Sequence, residues 1–271
     1  MNNTERRADI AALMEKKSYN FYDLVKIMEL LRSEGGCPWD REQTHKSIRN
    51  NFIEETYEVI EAIDTDDKKL LREELGDVLL QVVFHTRMEE EEGVFNIDDV
   101  SNDICAKLIH RHPHIFANVV ADNAEDVLKN WEQIKNEEKH RVTYTDKLNA
   151  IPKMFPALMR AQKVGKKASF FDFESSDLVI DKIYEETEEV REAMLEGDKA
   201  HIEEEIGDLL LTVTSLARKV GVDCESALSR ATDKFINRFE KVENKVIEMG
   251  GEIDKMTMTE LDAVWDSLKH N

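Results

Sequence analysis

The sequence is short of residues that bend or cross-link a chain. Four prolines and ten glycines in 271 residues give too little punctuation for a many-stranded fold. The three cysteines, Cys37, Cys105 and Cys224, are odd in number and widely spaced. That pattern excludes a disulfide framework and a CxxC metal site and fits a reducing compartment. Cations are also scarce: 37 Lys and Arg stand against 58 Asp and Glu, for a net charge of −21. Such a surface repels nucleic-acid backbones and anionic membranes, so neither is expected as a partner. A small phosphorylated ligand can still bind where divalent cations mediate the contact. No apolar run is long enough to cross a bilayer. The opening MNNTERRADIAALMEKK lacks the apolar core of a secretory signal, so a cytoplasmic location is expected.

What remains is rich in helix formers. Hydrophobic residues make up 41% and charged residues 35%, a globular composition, with Leu, Glu, Lys, Ala and Met plentiful. An all-α fold is expected. Phe21, Leu24, Val25, Ile27, Met28 and Leu31 recur at helical spacing. The break EGGCPWDREQTH (34–45) precedes helices over 46–63 and 67–92, joined at DTDD, then one from Asp98 to His110 that HPHIF interrupts. Residues 122–138 read as a polar helix. The stretch 139–156 carries two prolines and no clear period, which marks a linker.

The pattern then restarts. Shifting the chain by 131 residues aligns positions 54–83 with 185–214, and sixteen of those thirty pairs are identical. A period this long indicates two homologous domains and not a solenoid. The expected division is a domain over 1–140, a linker over 141–156 and a second domain over 157–271. After a four-residue deletion, Lys107 and Arg111 fall on Lys234 and Arg238. Trp131 is echoed by Trp265.

The repeat preserves acids on apolar helix faces. Glu55 and Glu58 are i and i+3 neighbours beside Phe52, Val59 and Ala62; Glu74 and Asp77 are another such pair beside Leu70, Leu71 and Val78. The second copy carries Glu186, Glu189, Glu205 and Asp208, and in both copies 19 residues separate the leading acids of the two pairs. Desolvated carboxylates must be neutralised, paired or bound to metal, and no Lys or Arg shares these faces at matched positions. Hard oxygen ligands select a hard divalent cation, and Mg²⁺ is the usual one where phosphates complete the shell. A di-iron bundle requires Glu-x-x-His, whereas Asp77 and Asp208 stand at the fourth positions. HRHPH (110–114) does not have the spacing of a tetrahedral zinc site.

These residues resemble the MazG family of nucleoside triphosphate pyrophosphohydrolases, within the all-α NTP pyrophosphatase superfamily. The family's EExxE…ExxD signature matches Glu54, Glu55, Glu58, Glu74 and Asp77, and again Glu185, Glu186, Glu189, Glu205 and Asp208. GGCPWDREQTHKS, EELGDVLLQVVFH, KLIHRHPHIF and LMRAQKVGKKA are similar to the tandem-domain bacterial members, so the resemblance covers nearly the whole chain. It implies two tandem helical-bundle domains assembled as a homodimer. It also implies Mg²⁺-dependent hydrolysis of ribo- and deoxyribonucleoside triphosphates between the α- and β-phosphates, with Mn²⁺ as a substitute metal and a broad housecleaning range.

By the same resemblance, Glu54, Glu55, Glu185 and Glu186 are candidate catalytic acids. Glu55, Glu58, Glu74, Asp77, Glu186, Glu189, Glu205 and Asp208 are the candidate metal ligands. Lys182, Glu186, Glu204, Lys234, Arg238 and Trp265 are candidate substrate contacts of the second copy, with Lys107, Arg111 and Trp131 in the first.

Overall fold

A computed structural model describes residues 3–268. Among them no strand occurs. The helices are α1 (Asn3–Met14), α2 (Phe21–Arg32), α3 (Pro38–Glu42), α4 (Arg49–Asp64), α5 (Lys68–Glu91), α6 (Ile97–Arg111), α7 (Pro113–Phe116), α8 (Ala124–Glu138), α9 (Tyr144–Asn149), α10 (Ala157–Lys167), α11 (Ser176–Glu196), α12 (Lys199–Lys219), α13 (Cys224–Glu248) and α14 (Met258–Ser267). The all-α expectation holds. The chain divides into two compact units, Met1–Trp131 and Glu132–Asn271. The stretch 139–156 contains α9, and the 34–45 break contains α3. Each is too short to show a helical period in sequence.

In the first unit α2 lies on α5. Met28, Ile48, Val83, Phe84 and Met88 form the buried cluster, flanked by Phe21, Leu24 and Leu80. The break after α2 is held from both ends. Arg32 pairs with Glu91 at 2.8 Å, donates to the carbonyls of Asp40 and Gln43 and lies over the Phe84 ring. A Cβ on Gly36 would sit 2.2 Å from the Leu31 carbonyl oxygen, so only glycine fits that turn.

In the second unit α10 packs on α12 and α13, and α14 folds back on α13. Val242, Val246 and Val264 are buried there. Gln162 on α10 fixes the α12–α13 turn, donating to the Val222 carbonyl and accepting from the Cys224 amide.

The repeat is visible as two helical hairpins, α4–α5 and α11–α12. Asp67 and Asp198, one repeat apart, each cap the second helix by accepting its free amides. The residue before each cap is left-handed: Asp66 at φ 54° and Gly197 at φ 76°. Aspartate tolerates that region better than most side chains, and glycine enters it freely. The same turn is thus built from two residues.

Candidate active site

Each hairpin brings three of its four acids together. In the first, oxygens of Glu55, Glu58 and Glu74 lie within 4.8 Å of one another. In the second, Glu186, Glu205 and Asp208 do so. Glu74 and Glu186 are the buried members, 8% and 5% exposed. Asp77 and Glu189 are half-buried at the edges of their groups. Glu54, Glu185 and Glu204 point outward and are exposed.

The first group holds only like charge. Burial pushes the Glu55 carboxyl above the ordinary range, and repulsion from Asp77 and Glu58 pushes it further. Glu74 is raised by burial and then by Glu58. None of the four acids forms an ion pair among the described residues.

The second group has two basic neighbours on its own hairpin, Lys182 and His201. Lys182 Nζ lies 2.8 Å from Glu185, 2.9 Å from Glu186 and 3.8 Å from Glu189. Its own pKa is raised by those bonds, Glu185 first. Glu189 is raised by burial, with Lys182 acting against that rise. His201 Nδ1 contacts Glu196 at 2.9 Å and its Nε2 contacts Glu205 at 3.1 Å. Those contacts raise the imidazole pKa, the Glu196 bond most. One repeat earlier, Asn51 and Leu70 stand at these two positions.

The donor sets suit a hard divalent cation. Three carboxylate oxygens converge in each copy, and in the first copy they remain uncompensated. Clustered carboxylates of this kind, with one member of each group buried, would be stabilised by a bound divalent cation.

The basic residues meet aromatic rings. Arg111 is buried and lies 5.2 Å from the Trp131 ring centroid; Arg238 lies 5.0 Å from that of Trp265. Lys107 and Lys234 are exposed. Lys234 and Arg238 share a cavity on α13 and make no hydrogen bond or ion pair with the acids of α11 and α12 among the described residues.

Two arrangements were not foreseen from the sequence. The His201 bridge had a local signal, since His201 precedes Glu205 by one turn. The other had none. His45 Nδ1 meets His85 Nδ1 at 2.7 Å, its Nε2 meets Glu89 at 2.7 Å, and the two rings stack. With Phe52, Phe95 and Val100 they line a cavity of about 360 Å³. Forty residues separate the two histidines, so only the fold unites them.

Comparison with known proteins agrees with this architecture. The model of the MazG nucleotide pyrophosphohydrolase domain matches twice, over residues 43–116 and 174–243, each match containing one hairpin. A nucleoside triphosphate pyrophosphohydrolase of Escherichia coli K12 is 45% identical over 253 residues, 91% of this chain and 95% of the relative. A Thermotoga maritima protein named nucleoside triphosphate pyrophosphohydrolase/pyrophosphatase MazG is 43% identical over 258 residues, 94% of this chain and 98% of its own length. A Mycobacterium tuberculosis nucleoside triphosphate pyrophosphohydrolase is 35% identical over 239 residues, 88% of this chain and 62% of the relative. With both hairpins matched and the Escherichia coli and Thermotoga maritima relatives aligned nearly end to end, the chain belongs to the MazG nucleotide pyrophosphohydrolase family.

Proposed function

We propose that this chain is a Mg²⁺-dependent nucleoside triphosphate pyrophosphohydrolase that cleaves ribo- and deoxyribonucleoside triphosphates between the α- and β-phosphates. The products are the nucleoside monophosphate and pyrophosphate. The observation that carries the reading is the convergence of three carboxylate oxygens in each hairpin, in a chain of the MazG nucleotide pyrophosphohydrolase family.

We assign the main catalytic centre to α11 and α12. Glu186, Glu189, Glu205 and Asp208 would hold the metal there, as Glu55, Glu58, Glu74 and Asp77 would in the first copy. A bound Mg²⁺, or Mn²⁺ in its place, offsets phosphate charge and lowers the pKa of a bound water. Lys182 sits among Glu185, Glu186 and Glu189, where its ammonium can turn toward a phosphate. Glu185, like Glu54 in the first copy, would accept a proton from the attacking water. Glu204 would take a polar group of the substrate. Trp265 and Trp131, each stacked on an arginine, offer faces to a base, with Lys234, Arg238, Lys107 and Arg111 meeting phosphate.

A homodimer fits the apolar surface. Leu75 and Leu79 of α5 and their counterparts Ile206 and Leu210 of α12 are exposed. Gly76 and Gly207 lie between them, and a Cβ on either would meet open space outside its own stretch of helix. Glycine inside a helix costs about 0.5–1 kcal/mol, which close approach of a ligand or second chain would justify. No described helix is long and apolar enough to cross a membrane; a cytoplasmic enzyme with nucleotides as its partners is our reading.

The test is a product-resolved screen of canonical and damaged nucleoside triphosphates with Mg²⁺. The expected products are monophosphate and pyrophosphate across several bases and both sugars. Diphosphate with orthophosphate would refute the assigned bond.

A further inference from the structure

Two imidazoles of the first unit converge away from its carboxylates. His85 follows Asp77 on α5 by eight residues, about 12 Å along the helix axis. His45 stands in the turn before α4. That turn is fixed by the Ser47 hydroxyl, which accepts from the Thr44 amide and donates to the Gln43 side chain.

Ring nitrogens this close must share something. With the two Nδ1 atoms 2.7 Å apart, a pair of facing lone pairs would repel, so one nitrogen carries a hydrogen. Glu89 decides which. It lies 2.7 Å from His45 Nε2, and a carboxylate only accepts, so His45 keeps its proton there. The His45 Nδ1 lone pair then receives the Nδ1–H of His85. Burial lowers the His85 pKa, and the nearby His45 lowers it further. The ring therefore stays neutral, the form that binds metal.

A histidine whose far nitrogen is held by a carboxylate has the form of an oriented metal ligand. With metal–nitrogen bonds of about 2.0–2.1 Å, two nitrogens at this separation subtend about 80–85° at an ion. That is near the right angle between neighbouring donors of an octahedral or tetragonal ion, and well below the tetrahedral angle of Zn²⁺. Imidazole donors also disfavour Mg²⁺, which takes oxygen. For an ion to enter, the His85 proton moves from Nδ1 to Nε2, so both rings stay neutral and no proton is lost. Beside the pair lies the cavity of about 360 Å³ walled by Phe52, Val82, Phe95 and Val100. Water or a small oxygen donor there can complete the shell. At the 131-residue offset, Ser176, Leu216 and Val220 stand where His45, His85 and Glu89 do. The pair is thus no part of what the two hairpins repeat.

We propose that His45 and His85 form a second kind of metal site, for a nitrogen-preferring divalent cation of octahedral or tetragonal geometry, with Ni²⁺ and Cu²⁺ best matched. Glu89 is its positioning residue. The ion ties the turn before α4 to the middle of α5. None of the acids assigned to Mg²⁺ takes part, so the site is independent of the hydrolase reading.

Calorimetric titration of the full chain with Ni²⁺, in excess Mg²⁺ to compete for the carboxylate groups, tests the site. H85N and H45N should each weaken the tightest Ni²⁺ binding about tenfold or more, and E89Q about tenfold, with unchanged circular dichroism spectra. H112N, which removes a histidine outside the pair, should leave that affinity unchanged. With one equivalent of Cu²⁺, electron paramagnetic resonance should show two histidine nitrogens in the parent chain and one in H45N. Equal Ni²⁺ affinity in the parent chain, H45N and H85N overturns the proposal. So does a melting temperature that Ni²⁺ leaves unchanged, because the pair then holds only a proton. A parent chain that binds Ni²⁺ as expected but hydrolyses no nucleoside triphosphate contradicts the hydrolase reading and leaves this site standing.

Discussion

The two hairpins share a backbone plan and differ in the charges around it. Both place three carboxylates within 4.8 Å. In α11–α12, Lys182 and His201 reach those acids; in α4–α5, Asn51 and Leu70 occupy the same repeat positions and the acids face only one another. The difference teaches that one backbone plan can carry two electrostatic settings. In the second copy Lys182 and His201 contact the carboxylates directly. In the first no side chain of opposite charge does so among the described residues, and there we propose that a bound metal ion would take that part.

Exchanging residues between the copies tests this contrast. The largest effect should come from K182N, which installs the first copy's residue in the second. A charge-assisted contact contributes about 1.5–3 kcal/mol, or about 10–100-fold in kcat/KM. The reciprocal N51K should change turnover by less than about threefold. Steady-state kinetics with ATP and Mg²⁺ reads both, and equal effects would remove the functional asymmetry. Next, H201L should weaken Mn²⁺ binding at the second site about tenfold, the lower range for residues that orient a ligand. Titration calorimetry on the E55Q/E74Q background isolates that site.

The third contrast is in pH. Glu55 and Glu74 have raised pKa values in the fold. A raised folded-state pKa favours folding while the group is protonated, and that stability is lost as pH rises through the raised value. In EDTA, E55Q/E74Q should therefore unfold at a higher temperature than the parent chain at neutral pH. The gap should close as pH falls through the raised values toward the ordinary 4.5. A gap that ignores pH would contradict the like-charge account, and Mg²⁺ should reduce it. The smallest effect concerns capping. Ser175 caps α11 by accepting from the Leu178 amide, while α4 begins at Ile48 without a side-chain cap. S175A should cost about 1 kcal/mol in thermal unfolding.

Much of this organisation is legible in the sequence because it is local or repeated. The i, i+3 acids lie within single elements, and the 131-residue echo recurs at a fixed offset. α3 and α9 were not legible, since five- and six-residue helices complete too few turns for a period. The ring pair of His45 and His85 and the Arg32 anchor also escaped, because contacts between distant positions leave no spacing to read. Lys182 and His201 were visible as residues, but their bonds to the acids depend on how the α11–α12 hairpin closes.

Phosphorus NMR of ATP with Mg²⁺ most directly tests the central assignment, comparing the parent chain, E55Q/E74Q and E186Q/E205Q. The account predicts pyrophosphate with AMP from the first two and almost no product from the third. Full activity in E186Q/E205Q, or orthophosphate and ADP from the parent chain, would contradict it.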